Sequence, residues 1–125
     1  MYTVIFFDIV KNTVPQLDIH ISTQANTNNY ASANMWHKLG ASRVVLSREL
    51  PFEIIAEISE LPVETEVFIH GALCMSVSGQ CYMSAVIGSR SANRGLCAQP
   101  CRLPMTAVSG KEEYVLSLKD LCGIE

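Results

Sequence analysis

Strand-like and helix-like segments alternate over the first 70 residues, and this alternation limits the folds open to the chain. Residues 17–23, 42–47 and 64–70 are rich in β-branched and apolar residues and are predicted as strands. Residues 28–40 and 51–61 are predicted as helices that lie between them. Because the strands recur about every 25 residues with helices in between, the pattern predicts βα units and a parallel sheet.

The two predicted helices carry recognisable start and stop signals. Asn28 or Asn29 can cap the first helix, and Gly40 is suited to end it. Pro51 falls in the first turn of the second helix. The apolar stripe predicted for this second helix consists of Phe52, Ile55 and Ile58.

The number of strands sets the predicted architecture. A complete eight-stranded (β/α) barrel takes about 250 residues, whereas this chain has 125 residues and three strands in its first part. We therefore predict an α/β fold that is part of a TIM-type barrel, a single partial barrel domain over residues 1–125. Within it, residues 1–70 would form the βα units, and residues 71–125 an irregular segment that bears the cysteines.

Polar residues follow each predicted strand. They are Thr23 and Gln24, then Arg48 and Glu49, then His70. Since α/β folds place their sites at the carboxyl ends of parallel strands, we interpret Gln24 as a substrate-binding candidate. We interpret His70 and Glu49 as catalytic candidates that handle protons or bind substrate. For Glu49, an ion pair with Arg48 or a helix-cap role is an equally open alternative.

The second part of the chain is distinguished by its cysteines. All five lie after residue 70, at Cys74, Cys81, Cys97, Cys101 and Cys122. The odd number and the lack of an export signal predict a reducing, cytoplasmic location and free or metal-binding thiols rather than disulfides. No paired C-x2-C knuckle of the structural zinc type occurs, and iron–sulfur clusters accept such irregular spacing. Buried structural cysteine remains the alternative.

Charge is unevenly distributed around these cysteines. Residues 67–111 contain no Asp or Glu, but they contain Arg90, Arg94, Arg102 and Lys111. A locally cationic segment favours an anionic ligand or nucleic acid, and a few solvated arginines are the alternative. No apolar run reaches the roughly 18 residues that a membrane span requires.

A longer motif gives these features a context. The stretch "EVFIHGALCMSVSGQCYMS" (66–84) resembles the signature of the collagenase-like peptidase family, peptidase family U32. The stretches "STQAN" (22–26), "LSREL" (46–50), "RSANRGLCAQPCRLP" (90–104) and "LSLKDLC" (116–122) resemble other parts of the same family. The signature positions that match are Glu66, Phe68, Gly71, Ala72, Leu73, Cys74, Gly79, Cys81 and Ser84.

The resemblance implies two kinds of activity. Some members are described as collagenolytic peptidases. Others hydroxylate a tRNA or ribosomal RNA base with prephenate as co-substrate, or take part in hydroxylation during ubiquinone synthesis, and these carry a four-iron, four-sulfur (4Fe-4S) cluster. No cysteine-protease or H-E-x-x-H pattern is present in the sequence, so we favour hydroxylation of RNA bases or a quinone precursor. A peptidase and an inactive fragment are the alternatives.

The resemblance also suggests the site residues and partners. Cys74, Cys81 and Cys97 are the expected cluster ligands, with Cys122 as the fourth and Cys101 as the alternative fourth. Arg90, Arg94 and Arg102 would bind a dicarboxylate or RNA phosphates. RNA or a protein partner is expected, and the rest of the barrel would come from a full-length protein.

Overall fold

The computed structural model of the chain describes residues 2–106, 113–117 and 120–122. The chain divides into two compact units, Met1–Val67 and Phe68–Glu125. Within the described residues, no helix combines the length and apolar character needed to cross a membrane. The prediction of one partial barrel domain over the whole chain stays a prediction.

The first unit alternates helices and strands as predicted. Its elements are α1 (Tyr2–Thr13), β1 (His20–Ile21), α2 (Tyr30–Leu39), β2 (Arg43–Val45), α3 (Phe52–Ser59) and β3 (Glu64–Glu66). The three strands form a parallel sheet in the order β1-β2-β3, with His20 opposite Arg43 and Val44 opposite Thr65. The α/β class and the parallel sheet are therefore confirmed, while closure into a TIM-type barrel stays a prediction.

Local signals explain where α2 begins and ends. The side chain of Asn29 accepts a 2.8 Å hydrogen bond from the backbone N–H of Ser32 and so caps the first turn. At the other end, Gly40 adopts a left-handed backbone with φ 92°, a conformation that glycine reaches without steric cost. Pro51 is the residue that caps α3 rather than part of its first turn.

The hydrophobic core belongs to the first unit. The rings of Phe7 from α1 and Trp36 from α2 pack at 5.8 Å between centroids. The other buried core residues are Ile21, Ala33, Ala41, Val44, Leu46, Ile58 and Val63. The predicted stripe of α3 is only partly correct, because Phe52 is 85% exposed and Ile58 is the buried residue of this helix.

The third predicted strand, residues 64–70, is wrong in its second half. Its partner β2 ends at Val45, and the last backbone bond between the two runs from Leu46 N–H to the Glu66 carbonyl at 2.9 Å. Beyond that point no described strand pairs with the chain in the parallel sheet. His70 instead begins a different strand, so it does not lie at the carboxyl end of a parallel strand.

The second unit is built from short elements. They are β4 (His70–Ala72), α4 (Met83–Gly88), β5 (Met105–Thr106), β6 (Glu113–Tyr114) and β7 (Asp120–Cys122), with 3-10 turns at Ala92–Arg94 and Pro100–Arg102. Strands β4 and β7 pair antiparallel, as do β5 and β6.

Small side chains form the interior of this second unit. Among its described residues, those that are buried are three serines and a proline, namely Ser78, Ser84, Pro100 and Ser117. A unit without large buried apolar side chains gains little from the hydrophobic effect. Hydrogen bonds and any bound ligand therefore carry more of its organisation.

Candidate functional site

Four of the five cysteines of the second unit are described as thiols that form no disulfide. Cys74 follows β4 and is exposed, and Cys81 lies just before α4 and is half-buried. Cys97 follows the turn Ala92–Arg94 and is exposed, and Cys101 lies half-buried within the turn Pro100–Arg102. Four separate loop or turn segments thus each present one thiol.

The pKa of the Cys101 thiol responds to the three other described cysteines. Partial burial raises the pKa of the Cys101 thiol, and the nearby Cys74 raises it further. Cys97 and Cys81 add smaller contributions in the same direction, and a backbone hydrogen bond opposes them. The other three cysteines thus all act in the same direction on the Cys101 thiol.

Two buried serines connect the segments that carry the cysteines. The hydroxyl of Ser84, on α4, accepts a 3.0 Å hydrogen bond from the N–H of Ala98, the residue after Cys97. The hydroxyl of Ser117 donates a 2.6 Å hydrogen bond to the carbonyl of Leu73, the residue before Cys74.

The loop between α4 and Cys97 is held by its own contacts. The guanidinium Nε of Arg90 donates to the Leu96 carbonyl at 3.1 Å. Gly95 has φ 74°, as the tight turn before Cys97 requires. The N–H of Gln99 donates to the Cys97 sulfur at 3.3 Å. Arg90 therefore holds the cysteine loop, in addition to any contact it makes with a ligand.

A single-ion site is not formed by the described side chains. Among them, no group of three or more His, Cys, Asp and Glu is arranged to hold a metal ion. The side chain of Cys122 lies outside this description, whereas its backbone pairs with His70 in the β4–β7 ladder. The assignment of four ligands stays a prediction.

The predicted cationic residues differ in their surroundings. Arg102 donates to the Asp120 carboxylate at 2.9 Å, so its charge is partly neutralised within the unit. Arg94 and Arg90 are exposed. Of the three predicted anion-binding arginines, Arg94 is the one that lies exposed at the end of the turn Ala92–Arg94.

Glu49 and Gln24 belong to the first unit, and His70 belongs to the second. Glu49 pairs with Arg48 at 3.3 Å, which is the alternative that the sequence left open. Gln24 is exposed on the turn Thr23–Ala25, and His70 is exposed on β4. Glu49 also borders a cleft of about 630 Å³ whose other lining residues are Asn28, Asn29, Tyr30, Ala31, Leu50, Pro51, Ile54 and Glu57.

Sequence reasoning missed a buried polar group at the carboxyl edge of the parallel sheet. The Ser47 hydroxyl donates to the Asn26 side-chain oxygen at 3.2 Å, and the Ser47 N–H donates to the Thr27 carbonyl at 3.0 Å. Thr27 is fully buried, and its hydroxyl has no hydrogen-bond partner within the described part of the chain. The available signal was that small polar residues lie close to the ends of both strands, with Ser22 and Thr23 after β1 and Ser47 after β2.

Comparison with known families identifies the class of protein. The sequence model of peptidase family U32 matches residues 3–125. The chain therefore belongs to peptidase family U32, as the motif in residues 66–84 predicted.

Individual relatives have two kinds of name. The "tRNA hydroxylation protein P" of Escherichia coli (strain K12) is 44% identical over 109 residues, which cover 86% of this chain and 24% of the relative. The "23S rRNA 5-hydroxycytidine C2501 synthase" of the same organism is 41% identical, with 90% of this chain and 18% of the relative covered. The "Collagenase" of Porphyromonas gingivalis is 42% identical, with 84% and 30% covered.

The chain thus spans less than a third of the length of each of these three relatives. No solved structure matches the chain.

Proposed function

We propose that this chain forms part of an iron–sulfur enzyme that hydroxylates a base of tRNA or ribosomal RNA in the cytoplasm. The observation that carries the proposal is that four cysteines outside any disulfide belong to one unit of a chain whose relatives are named for tRNA and rRNA hydroxylation. A quinone precursor is the other substrate class for the same chemistry.

The donor set fits a cluster in its chemistry. Thiolates are the ligands of iron–sulfur clusters, and a cubane takes them from different loops because it presents four separate iron corners. Cys74, Cys81 and Cys97 would hold three irons, with Cys122 as the fourth ligand and Cys101 as the alternative. When bound, the cluster would supply electron-transfer or Lewis-acid chemistry.

The chain's own side chains would bind and orient the substrate. Exposed Arg94 and Arg90 suit the phosphates of RNA or the carboxylates of a co-substrate such as prephenate. Exposed His70 stands on the strand that leads into Cys74, where an imidazole can accept or donate a proton. Glu49 and Gln24 are proposed as further substrate contacts from the first unit.

The architecture proposed for the complete enzyme is a TIM-type barrel. Parallel sheets are normally covered on both faces, and the three described strands make only part of one. Since the relatives are three or more times longer, further strands from the rest of a full-length protein would complete the barrel.

Peptide hydrolysis is the second candidate, because a relative named "Collagenase" is 42% identical. It would require an activated nucleophile beside a base, or a metal-bound water. A chain that lacks most of the enzyme and is inactive alone is the third possibility.

Anaerobic purification followed by iron and sulfide analysis and a visible spectrum tests the cluster. We expect about four irons and four sulfides per chain after reconstitution, with broad thiolate-to-iron absorption. For the substrate, nucleosides from tRNA and rRNA of cells with and without the full-length gene should differ by one oxygen atom in mass spectrometry. A chain that takes up no iron, or identical nucleosides in both strains, would refute the corresponding half of the proposal.

A further inference from the structure

The cysteine segments of the second unit need some interaction that arranges them before any ligand binds. Cys74, Cys81, Cys97 and Cys101 each lie on a loop or turn segment, and the described interior of the unit contains no large buried apolar side chain. Hydrophobic packing therefore cannot fix these segments relative to one another. Some other interaction must do so.

Ser84 joins the helix after Cys81 to the loop that carries Cys97 by hydrogen bonds. It is 1% exposed and sits on α4, three residues after Cys81. Its hydroxyl accepts the N–H of Ala98, directly after Cys97, and its carbonyl accepts the N–H of Arg90 at 3.2 Å. One buried residue thus fastens both ends of the loop that carries Cys97 to the helix that follows Cys81.

Ser117 joins the segment before Cys74 to the turn that contains Cys101 by hydrogen bonds. It is 7% exposed, its hydroxyl donates to the Leu73 carbonyl, and its backbone N–H donates to the Cys101 carbonyl at 2.9 Å. The residue before Cys74 and the turn that contains Cys101 are therefore fastened to the same point. Ser117 also leads into β7, which ends at Cys122.

We propose that Ser84 and Ser117 are positioning residues that hold the cysteine segments of the second unit in register for a cluster. The consequence for cluster binding rests on the proposed function, whereas the two hydrogen-bonded ties do not. Neither serine touches the cluster; each acts through the backbone next to a cysteine. Buried hydroxyls suit this task because their bonds are directional and are shielded from water.

Amide hydrogen exchange of the metal-free chain tests the ties themselves. Ser84→Ala should speed exchange at the Ala98 amide roughly fivefold, the factor expected for loss of one hydrogen bond. Ser117→Ala should speed exchange by a similar factor at the amide of residue 117, which donates to the Cys101 carbonyl, because the side-chain tie to Leu73 that holds it in place is lost. Ser91→Ala is the matched control, since Ser91 lies in the same loop and its side chain caps nothing.

Iron and sulfide content, with the visible spectrum, tests the positioning role. After anaerobic reconstitution, both alanine variants should bind less iron than wild type, and Ser84→Thr and Ser117→Thr, which keep the hydroxyl, should recover it. Emission from Trp36, the one tryptophan, reports the fold of the first unit and should stay unchanged.

The possible results separate the two proposals. Unchanged exchange in the alanine variants overturns the ties, and altered exchange with wild-type iron content overturns the positioning role. If wild type itself takes up no iron, the proposed function fails, and hydrogen exchange still decides whether the serines hold the segments. If one alanine variant unfolds altogether, the alanine variant at the other serine decides by the same two measurements.

Discussion

His70 lies directly opposite Cys122 in the antiparallel ladder of β4 and β7, which joins residues 52 positions apart in the chain. This pairing brings the backbone of the last cysteine beside the strand that runs into Cys74. In this antiparallel register Cys122 lies at the His70 end of the ladder, whereas Cys74 follows the other end, at Ala72. Cys101, the alternative fourth ligand, is instead tied to the residue before Cys74, because Ser117 bonds the carbonyls of both Leu73 and Cys101.

Single alanine variants distinguish these two cysteines. We expect Cys122→Ala to lose most of the bound iron after anaerobic reconstitution, because removal of a true ligand removes binding energy that is coupled to folding. Cys101→Ala should retain iron near the wild-type level. The measurement is iron and sulfide per chain, with Cys81→Ala as the positive control for a lost ligand. The reverse result, with iron kept by Cys122→Ala and lost by Cys101→Ala, assigns the fourth position to Cys101.

Two adjacent phenylalanines give a sharp test of the core of the first unit. Phe7 is 4% exposed against Trp36, whereas its neighbour Phe6 is 69% exposed on the same helix. Phe7→Ala should lower the free energy of unfolding by about 3 kcal/mol, the usual cost of removing a buried aromatic ring. Phe6→Ala should change it by less than about 0.5 kcal/mol. Denaturant titration followed by Trp36 fluorescence measures both, and equal effects would contradict the described packing.

The local features of this fold could be predicted from the sequence, whereas its contacts between distant segments could not. Alternating segments, the cap at Asn29 and the end at Gly40 depend on neighbours in sequence, and these were predicted correctly. The end of β3 depends on where β2 stops, and the exposure of Phe52 depends on which elements face α3. Such contacts between distant segments leave no local pattern.

The same limit applies to the site. The cysteines and the family could be recognised from spacing and motif. The ion pair of Arg102 with Asp120 could not be predicted from the sequence, because Asp120 lies outside the acid-free segment. The β4–β7 pairing brings Asp120 opposite Ala72, within that segment. The buried Thr27 and the tie at Ser117 likewise follow from non-local folding.

Chelation should affect the two units differently. The first unit has its own apolar core, whereas the described interior of the second consists of serines and a proline. Removal of iron should therefore reduce hydrogen-exchange protection mainly within residues 68–106, while Trp36 emission stays constant. Uniform loss of protection in both units would show that the cluster stabilises the chain as a whole.

Arg94 should contribute to RNA binding more than a lysine of similar exposure elsewhere. Replacing Arg94 by Ala should weaken binding of total tRNA and lower the slope of log affinity against log salt by about 1, the effect of one lost phosphate contact. Lys38, exposed near the end of α2, provides the control as Lys38→Ala. Filter binding at several salt concentrations measures both slopes, and equal slopes for both variants and wild type would exclude a phosphate contact at Arg94.

The iron-loaded chain should not hydrolyse gelatin. Hydrolysis needs a nucleophile poised beside a base or an open metal-bound water, whereas the thiols of this chain are proposed to be committed to iron. In zymography and solution assays, wild type and Cys97→Ala should both give the rate of a blank. Cleavage that is lost in Cys97→Ala but persists in the iron-free wild type would identify a cysteine peptidase, and the hydroxylation proposal would then have to be abandoned for this chain.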